Sequence, residues 1–331
     1  MKTNARIPSV SRRVFTTQLM GAAAGAFSIP MIPRASACCM VPKSYAGSIS
    51  QKGQEAILFH RGDREELILR IEYQLKGDSA PDRFAWVITV PHEPDRYGVA
   101  DGKLFEDMFY WAENTMFRKS RSRSKGLGNE VDSAVVPGIE LGKRVQVGPY
   151  DIQPVRARGV EALDALNQWL AKNGFPTEDP AHMKYFVENK FTFLAIKISP
   201  PKGEKVVRTS GDVEPLHLSF KSERPYYPLR FSSRQGVFDL NLYVFTDKDL
   251  DFTRSAGALK KINHAPPARV KKNVDVKFAS LPPSLRKQIE SKADTGVKTQ
   301  ATWKANLVRT KGTNQGNTIA SWDEDVFFAK A

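Results

Sequence analysis

A chain of 331 residues with 41% hydrophobic and 26% charged side chains has the balance of a globular protein, which excludes disorder along its whole length. Its formal charge of +14, from 50 basic and 36 acidic residues, favours anionic partners. Two cysteines are too few for a fold held together by a disulfide framework.

The amino terminus has the three parts of a signal peptide over residues 1–37. A basic stretch ends in Ser11-Arg12-Arg13-Val14-Phe15, an Ala/Gly-rich apolar stretch follows over residues 19–29, and Ala35-Ser36-Ala37 closes the segment. The arginine pair, with its flanking serine and phenylalanine, predicts a twin-arginine export signal. An ordinary signal with a chance arginine pair is the alternative. We expect cleavage between Ala37 and Cys38.

Cleavage at that point leaves 45 basic against 36 acidic residues, because residues 1–37 contain five bases and no acid. We therefore expect a periplasmic or extracellular protein of formal charge +9, without a transmembrane segment in the mature chain. Its expected partner is an anionic envelope polymer or another envelope protein, and not nucleic acid. A lipid on Cys38 is an alternative means of attachment.

The two cysteines, Cys38 and Cys39, are adjacent, and Met40 follows them. Sulfur ligands suit Cu(I), so these three residues form a candidate metal site. The alternatives are a vicinal disulfide or a thiol pair that packs against the domain. A zinc site built on two cysteine pairs is excluded because there is one pair. No cofactor is predicted.

The first half of the mature chain is rich in strand patterns. Alternating apolar side chains predict strands at 55–60 and 66–73, and the apolar run that ends at Pro91 predicts a buried central strand from Phe84. Apolar residues at helical spacing then predict an amphipathic helix over 103–118. Residues 144–152 predict a further strand.

The second half begins with another amphipathic helix over Glu161–Asn173, with Gly174 as its C-cap. Shorter helices are predicted near 182–188 and at 284–291, and strands at 191–198, 216–220, 229–232, 238–245, 274–278, 303–309 and 326–328. Together these elements predict an α+β fold of mostly antiparallel β-sheet with two principal amphipathic helices. Two packed halves, residues 38–155 and 156–331, each built on a small sheet, are one arrangement of these elements.

Short stretches along the mature chain carry a family resemblance. They are Cys38–Val41, Gln54-Glu55-Ala56, the run Phe84–Ile88 ending at Pro91, Leu104-Phe105, Gly148-Pro149-Tyr150, the Trp169-Leu170 helix ending at Gly174, Pro215-Leu216 to Pro228-Leu229, and Trp322–Phe327. In these stretches the chain resembles an exported bacterial family of uncharacterised function, domain of unknown function 2330. The resemblance implies export and one shared architecture, and it implies no catalytic residues. Family members often end in a membrane helix and space their leading cysteines apart, and we expect this chain to differ in both respects.

Motifs of the common enzyme classes are absent from the sequence. It contains no G-x-S-x-G or H-E-x-x-H motif, and its five histidines are scattered without metal-ligand spacing. His92, beside Glu93 and Asp95, is a candidate for acid–base chemistry, with a rigid polar loop as the alternative. The cluster Asp63-Arg64-Glu65-Glu66 is a candidate cation site, with a solvated hairpin turn as the alternative.

A basic, serine-rich segment is the main candidate for binding. It contains Arg118, Lys119, Arg121, Arg123 and Lys125. Five cations in eight residues favour contact with an anionic surface, and a mobile solvated loop is the alternative. We expect a non-catalytic binding or scaffold protein at the cell envelope. An exported hydrolase or glycan-active enzyme, and a copper-handling protein, are the alternatives.

Overall fold

The structure is a computed structural model that describes residues 38–117, 142–156, 161–235, 238–255, 269–310 and 324–331. In this part of the chain there are seventeen strands: β1 (Cys39–Met40), β2 (Ser48–Arg61), β3 (Arg64–Lys76), β4 (Phe84–Val90), β5 (Arg96–Val99), β6 (Val145–Val147), β7 (Tyr150–Arg156), β8 (Thr192–Ile198), β9 (Ser210–Asp212), β10 (Leu216–Lys221), β11 (Tyr226–Tyr227), β12 (Asp239–Thr246), β13 (Leu250–Asp251), β14 (Arg269–Lys277), β15 (Thr302–Thr310), β16 (Val326–Phe327) and β17 (Ala329–Lys330).

Five α-helices connect or cover these strands in the described residues: α1 (Leu104–Thr115), α2 (Glu161–Lys172), α3 (Pro180–Glu188), α4 (Pro283–Lys292) and α5 (Thr295–Lys298). Two short 3₁₀ helices, Arg230–Gln235 and Phe278–Ser280, accompany them. No helix in these ranges is both long and apolar enough to cross a membrane.

Two sheets form the centre of the fold. The smaller has the antiparallel order β1-β4-β8-β7-β6, and the larger has the order β14-β15-β12-β2-β3-β10-β5, with β9 added to β3. The β2–β12 pair is parallel, and its neighbours pair antiparallel. The predicted α+β class with mostly antiparallel sheet is therefore confirmed.

The larger sheet is covered on both faces, which follows from the alternation of its strands. In β2, Ala56 and Leu58 belong to the hydrophobic cluster shared with the smaller sheet, while Ile57 and Phe59 belong to a second cluster. That second cluster also contains buried residues of α1, α4 and α5. Successive strand residues point to opposite faces, so the three helices cover the face that the smaller sheet leaves open.

The smaller sheet has helices of its own. Phe186 of α3 makes a ring contact of 5.8 Å with Phe193 of β8, and α2 packs beside β7 and β8. The end of α2 is as predicted: Gly174 has φ +80°, and the backbone N–H of Phe175 reaches back to the carbonyl of Leu170. A residue without a Cβ adopts this left-handed conformation at little cost, so the glycine ends the helix.

Three details differ from the sequence prediction. Residues 229–232, predicted as a strand, lie at the start of the 3₁₀ helix Arg230–Gln235. The single strand predicted over 144–152 is a hairpin of β6 and β7, because Gly148 turns the chain at φ +54°. Neither sheet belongs to one half of the chain, since each contains strands from before and after residue 155.

Candidate functional site

Three neighbouring strands at one end of the larger sheet place polar side chains on a common face. Glu66 of β3 lies opposite Ser219 of β10, and Ser219 lies opposite Arg96 of β5. Side chains opposite each other in antiparallel strands project from the same face. His217 and Gly98 form the next row on that face. Pairing register therefore assembles the site from residues far apart in sequence.

Glu66 is the centre of this polar group. Its side chain is buried, and it accepts hydrogen bonds from Nε2 of His217 at 3.0 Å, Oγ of Ser219 at 2.9 Å and the backbone N–H of Asp294 at 2.6 Å. Three donors offset the cost of removing a carboxyl group from water. The same bonds tie β3 to β10 and to the start of α5.

His217 is held at both ring nitrogens. Nε2 of the Gln288 amide lies 2.9 Å from Nδ1 of His217 and 3.4 Å from the carbonyl oxygen of Val99. An amide nitrogen donates to both, so Nδ1 of His217 accepts and its Nε2–H donates to Glu66. This assignment leaves neither ring nitrogen free for a ligand.

Arg64 and Asp95 form a two-pronged ion pair beside the row. NH1 and NH2 of Arg64 lie 2.8 Å from the two carboxylate oxygens of Asp95, and NH2 also donates to Oγ of Ser219 at 2.8 Å. Bidentate arginine–carboxylate pairs fix direction as well as distance. Asp95 keeps 55% of its side chain exposed, so its oxygens still face solvent.

Arg96 and Asp294 form the second pair. NH2 of Arg96 lies 2.8 Å from Oδ2 of Asp294, and NH1 donates to the carbonyl oxygen of Ala293 at 3.1 Å. Burial raises the pKa of Asp294, but hydrogen bonds from the Gly296 N–H and from Arg96 outweigh that effect, and the pKa lies below its ordinary value. Asp294 is therefore a carboxylate at neutral pH.

A cleft of about 390 Å³ opens above these groups. Residues 95–98 of the β5 region form one wall, and His217 and Ser219 form the floor. Ser291, Lys292 and Lys298 form the other wall. The volume is in the range of clefts that hold small ligands.

The charges around the cleft do not balance. Asp95, the acid in its lining, is paired with Arg64, and the neighbouring Asp294 is paired with Arg96. Within the part of the chain that the structure describes, Lys292 and Lys298 have no ion-pair partner. The cleft therefore presents two uncompensated ammonium groups over a satisfied polar floor.

A solvated turn, the alternative given for residues 63–66, is wrong for two of them. The turn itself is present between β2 and β3, but Glu65 and Glu66 are buried. Glu65 accepts the backbone N–H of Tyr226 at 2.8 Å, and burial raises the pKa of its carboxyl well above the ordinary value. Because the sequence around this hairpin is polar, it did not indicate that the carboxyl groups of Glu65 and Glu66 are buried.

The segment after β4 is tied down by hydrogen bonds and ion pairs. His92 is exposed, and its Nδ1 lies 2.9 Å from the carbonyl oxygen of Lys221. Glu93 pairs with Arg156 at 2.6 Å, and Asp95 pairs with Arg64. The three residues singled out for acid–base chemistry therefore point to different partners and form no shared centre.

Cys38, Cys39 and Met40 lie in the core. All three are at most 1% exposed, and the two sulfur atoms are 4.0 Å apart as free thiols. Burial, and then the neighbouring Cys38, raise the pKa of the Cys39 thiol well above its ordinary value. In the described ranges no group of three or more His, Cys, Asp and Glu side chains is placed to hold a metal ion. The copper site stays a prediction.

Two further features add no ligand site. A small cavity between the sheets, beside Gln54 and Tyr227, has a volume of about 10 Å³, which is room for one water molecule. The basic segment with Arg118, Lys119, Arg121, Arg123 and Lys125 lies outside the described residues. Its role in binding an anionic surface stays a prediction.

Sequence reasoning named Glu66 only as part of a cluster and did not identify His217, Ser219, Lys292 or Lys298 as site residues. One signal was available: Glu66 stands directly before Leu67-Ile68-Leu69, inside a strand pattern that predicts burial. A carboxylate in a buried strand needs donors close by. The two lysines carry no such signal, because a lysine near the end of a helix is ordinary.

The fold and the cleft define an α+β protein of two packed sheets with a cationic surface site. The chain belongs to a family of uncharacterised proteins conserved in bacteria, domain of unknown function 2330, whose model matches residues 32–294. This confirms the family resemblance seen in the sequence. No curated protein matches the chain.

Two of the solved structures that match the chain are of baculovirus P35. The crystal structure of baculovirus P35 is 8% identical, covers 85% of this chain and 97% of its own, and has a TM-score of 0.42. P35 in its complex with caspase-8 is 7% identical, covers 84% of this chain and 96% of its own, and has a TM-score of 0.40. Similarity at this level carries no argument about the function of the chain.

Proposed function

We propose that this chain is an exported, non-catalytic binding protein of the bacterial cell envelope, and that its cleft holds an anionic ligand. One observation carries the proposal: Lys292 and Lys298 line the cleft, and neither has an ion-pair partner among the described residues. Unpaired cations on a concave wall attract an anion, since the surrounding protein lowers the local dielectric constant.

The occupied polar floor supports binding over catalysis. Both nitrogens of His217 are engaged, and the hydroxyl of Ser219 donates to Glu66 while it accepts from Arg64. A nucleophilic serine needs a base positioned to take its proton and an open approach. Here the hydrogen bonds with Glu66 and Arg64 fix the Ser219 side chain in one orientation, which suits a site that binds a ligand without reacting with it.

Export is supported by residues 1–37, with their arginine pair, apolar stretch and small residues before Cys38. An anionic ligand is also abundant outside the cytoplasm as wall polymer and lipid head group. A basic mature chain is therefore suited to that compartment.

Binding is tested with a fluorescent oligoglutamate probe, measured by anisotropy at low and at physiological salt. The double variant Lys292→Gln/Lys298→Gln is expected to weaken binding about tenfold or more. The control Lys202→Gln/Lys205→Gln removes the same charge from two exposed positions between β8 and β9, outside the cleft lining, and should leave affinity within about twofold. Absence of binding, or an equal loss in both double variants, would overturn the proposal.

Export is tested by the intact mass of protein recovered from the envelope fraction. A mass that begins at Cys38 supports cleavage after Ala37, and added acyl chains would mean a lipid anchor. In the variant Arg12→Lys/Arg13→Lys the uncleaved precursor should accumulate in the cytoplasm. Normal processing of that variant would point to the ordinary export signal instead.

A further inference from the structure

The cleft has a second property besides its charge, which is a set of hydrogen-bond acceptors that a ligand can reach. Asp95 is 55% exposed, and each of its oxygens uses one position for Arg64. Ser291 is exposed on α4, and its hydroxyl donates to the carbonyl oxygen of Gln288, which leaves its own oxygen free to accept. These groups face a ligand as acceptors, whereas the lysines face it as cations.

Asp95 is suited to a neutral donor rather than to a cation. Arg64 contacts both of its oxygens at 2.8 Å, and Nε of Arg96 lies 3.6 Å from one of them. Two guanidinium groups compensate the carboxylate charge and leave its remaining lone pairs for hydroxyl or amide hydrogens. A ligand with a positive group would meet the two arginines as well, so a zwitterion fits this wall poorly.

Gly98 keeps the space between floor and wall open. A Cβ at this position would lie 3.8 Å from Cβ of His217 and 4.0 Å from Cδ of Lys292, so a methyl group touches both sides. Any larger side chain would fill the gap between the floor and the lysine wall. The backbone of Gly98 has no positive φ, so its small size and not its conformational freedom is what the cleft uses.

From these contacts we infer that the ligand is an acidic sugar, a ring that carries a carboxylate or phosphate and several hydroxyl groups. The anionic group lies against Lys292 and Lys298, and hydroxyl groups donate to Asp95 and Ser291. The ring occupies the space beside Gly98. This inference rests on the proposed function, because it assigns a ligand class to the same cleft.

The test compares two fluorescent probes of equal charge: a tetramer of galacturonate, which carries hydroxyl groups, and a tetramer of glutamate with an amidated carboxyl end, which carries none. The wild-type protein should bind the galacturonate probe about tenfold or more tightly, because its hydroxyl groups can donate to both Asp95 and Ser291, whereas the glutamate probe has only backbone amide hydrogens to donate. Ser291→Ala should weaken binding of the galacturonate probe by about threefold to tenfold and weaken binding of the glutamate probe less, so that the preference for the sugar becomes smaller. Ser210→Ala, exposed on β9, is the matched control and should change neither.

Gly98→Val tests the space in the cleft. It should remove the preference for the galacturonate probe, while Gly102→Val, where a new Cβ meets nothing within 4 Å, should keep it. The unfolding midpoints of all variants are compared. If Gly98→Val lowers the stability of β5, the Ser291→Ala result alone decides whether the acidic-sugar proposal holds.

The outcomes separate the two proposals. Equal affinity for both probes, with binding still dependent on Lys292 and Lys298, leaves the anion-binding function standing and overturns the acidic sugar. A preference that survives both Ser291→Ala and Gly98→Val also overturns it. If the protein binds neither probe, both proposals are wrong.

Discussion

Oε2 of Glu66 lies 3.0 Å from Nε2 of His217, in a buried contact between residues 151 positions apart in sequence. The bond lies beneath the cleft, at the junction of β3 and β10. It belongs to the group of three donors that satisfies the Glu66 carboxyl group. The cleft floor is therefore also part of what holds this end of the larger sheet together.

Replacing Glu66 by glutamine should destabilise the protein. One of the three donors, from His217, Ser219 or Asp294, would then face the amide NH₂, and an unsatisfied buried donor costs about 1–3 kcal/mol in the free energy of unfolding. Urea unfolding at constant m-value measures the loss. Glu72→Gln, in the same strand but exposed, is the control and should change stability by less than about 0.5 kcal/mol. Equal stabilities for the two variants would contradict the account of Glu66.

Asp325 should make stability depend on pH near neutrality. Its buried carboxyl accepts the backbone N–H groups of Leu229 at 3.0 Å and Arg230 at 2.9 Å. Burial raises its pKa from 3.8 to about 7, although these hydrogen bonds act in the opposite direction. The folded state therefore binds a proton more tightly than the unfolded state, and stability rises as the pH falls from about 7 towards 4.

Asp325→Asn removes that titration while its amide oxygen still accepts both N–H groups. Relative to the variant, the wild-type protein should gain about 2 kcal/mol of stability between about pH 7.5 and about pH 5. Denaturant unfolding of both proteins at the two pH values measures this difference. Parallel pH profiles would show that the Asp325 carboxyl titrates far from neutrality.

His60 should make stability depend on pH in the direction opposite to that of Asp325. Its ring is buried, with Nε2 at 2.8 Å from the carbonyl oxygen of Ser222. Burial, and then the charge of Lys330, lower the pKa of His60 to about 3 from 6.5. The unfolded state binds this proton more tightly, so stability falls as the pH drops from about 6.5 towards 3.

His60→Gln removes this acid sensitivity, and its amide keeps a donor for Ser222. Between about pH 7 and about pH 5 the wild-type protein should lose about 2 kcal/mol more than the variant. His92→Gln, at an exposed position, is the matched control for the same substitution. Because Asp325 opposes His60, each variant is compared with the wild-type protein at both pH values. A His60→Gln profile that parallels the wild type counts against the buried neutral ring.

Cys38 and Cys39 should resist modification until the protein unfolds. Both thiols are at most 1% exposed, and the raised pKa of Cys39 reduces its reactive thiolate form. We expect no adducts on the folded protein with a maleimide reagent and two on the protein in denaturant, as read by intact mass. An unfolded protein without adducts would mean a vicinal disulfide, and rapid labelling of the folded protein would mean that the pair is exposed.

The elements with strong periodicity could be predicted from the sequence. The run at Phe84–Val90 is buried at every residue and lies between β1 and β8, as a continuous apolar stretch predicts. The helix ending at Gly174 follows from amphipathic spacing and a glycine cap. Residues 229–232 could not be assigned in this way, because a short apolar stretch suits a strand or a helical turn equally, and Asp325 decides between them by binding the N–H groups at the turn's start.

The sequence by itself determined the family, the α+β class, the principal helices and the expectation of an exported protein. Each of these depends on local pattern, such as the spacing of apolar residues, caps, or the order of charged and small residues at the amino terminus. Only the tertiary structure brought Glu66, Ser219 and Arg96 into one row and set Lys292 and Lys298 opposite them. That arrangement depends on strand order and register across more than 200 residues, and strand order is fixed by the packing of two sheets and their helices rather than by any local stretch of sequence.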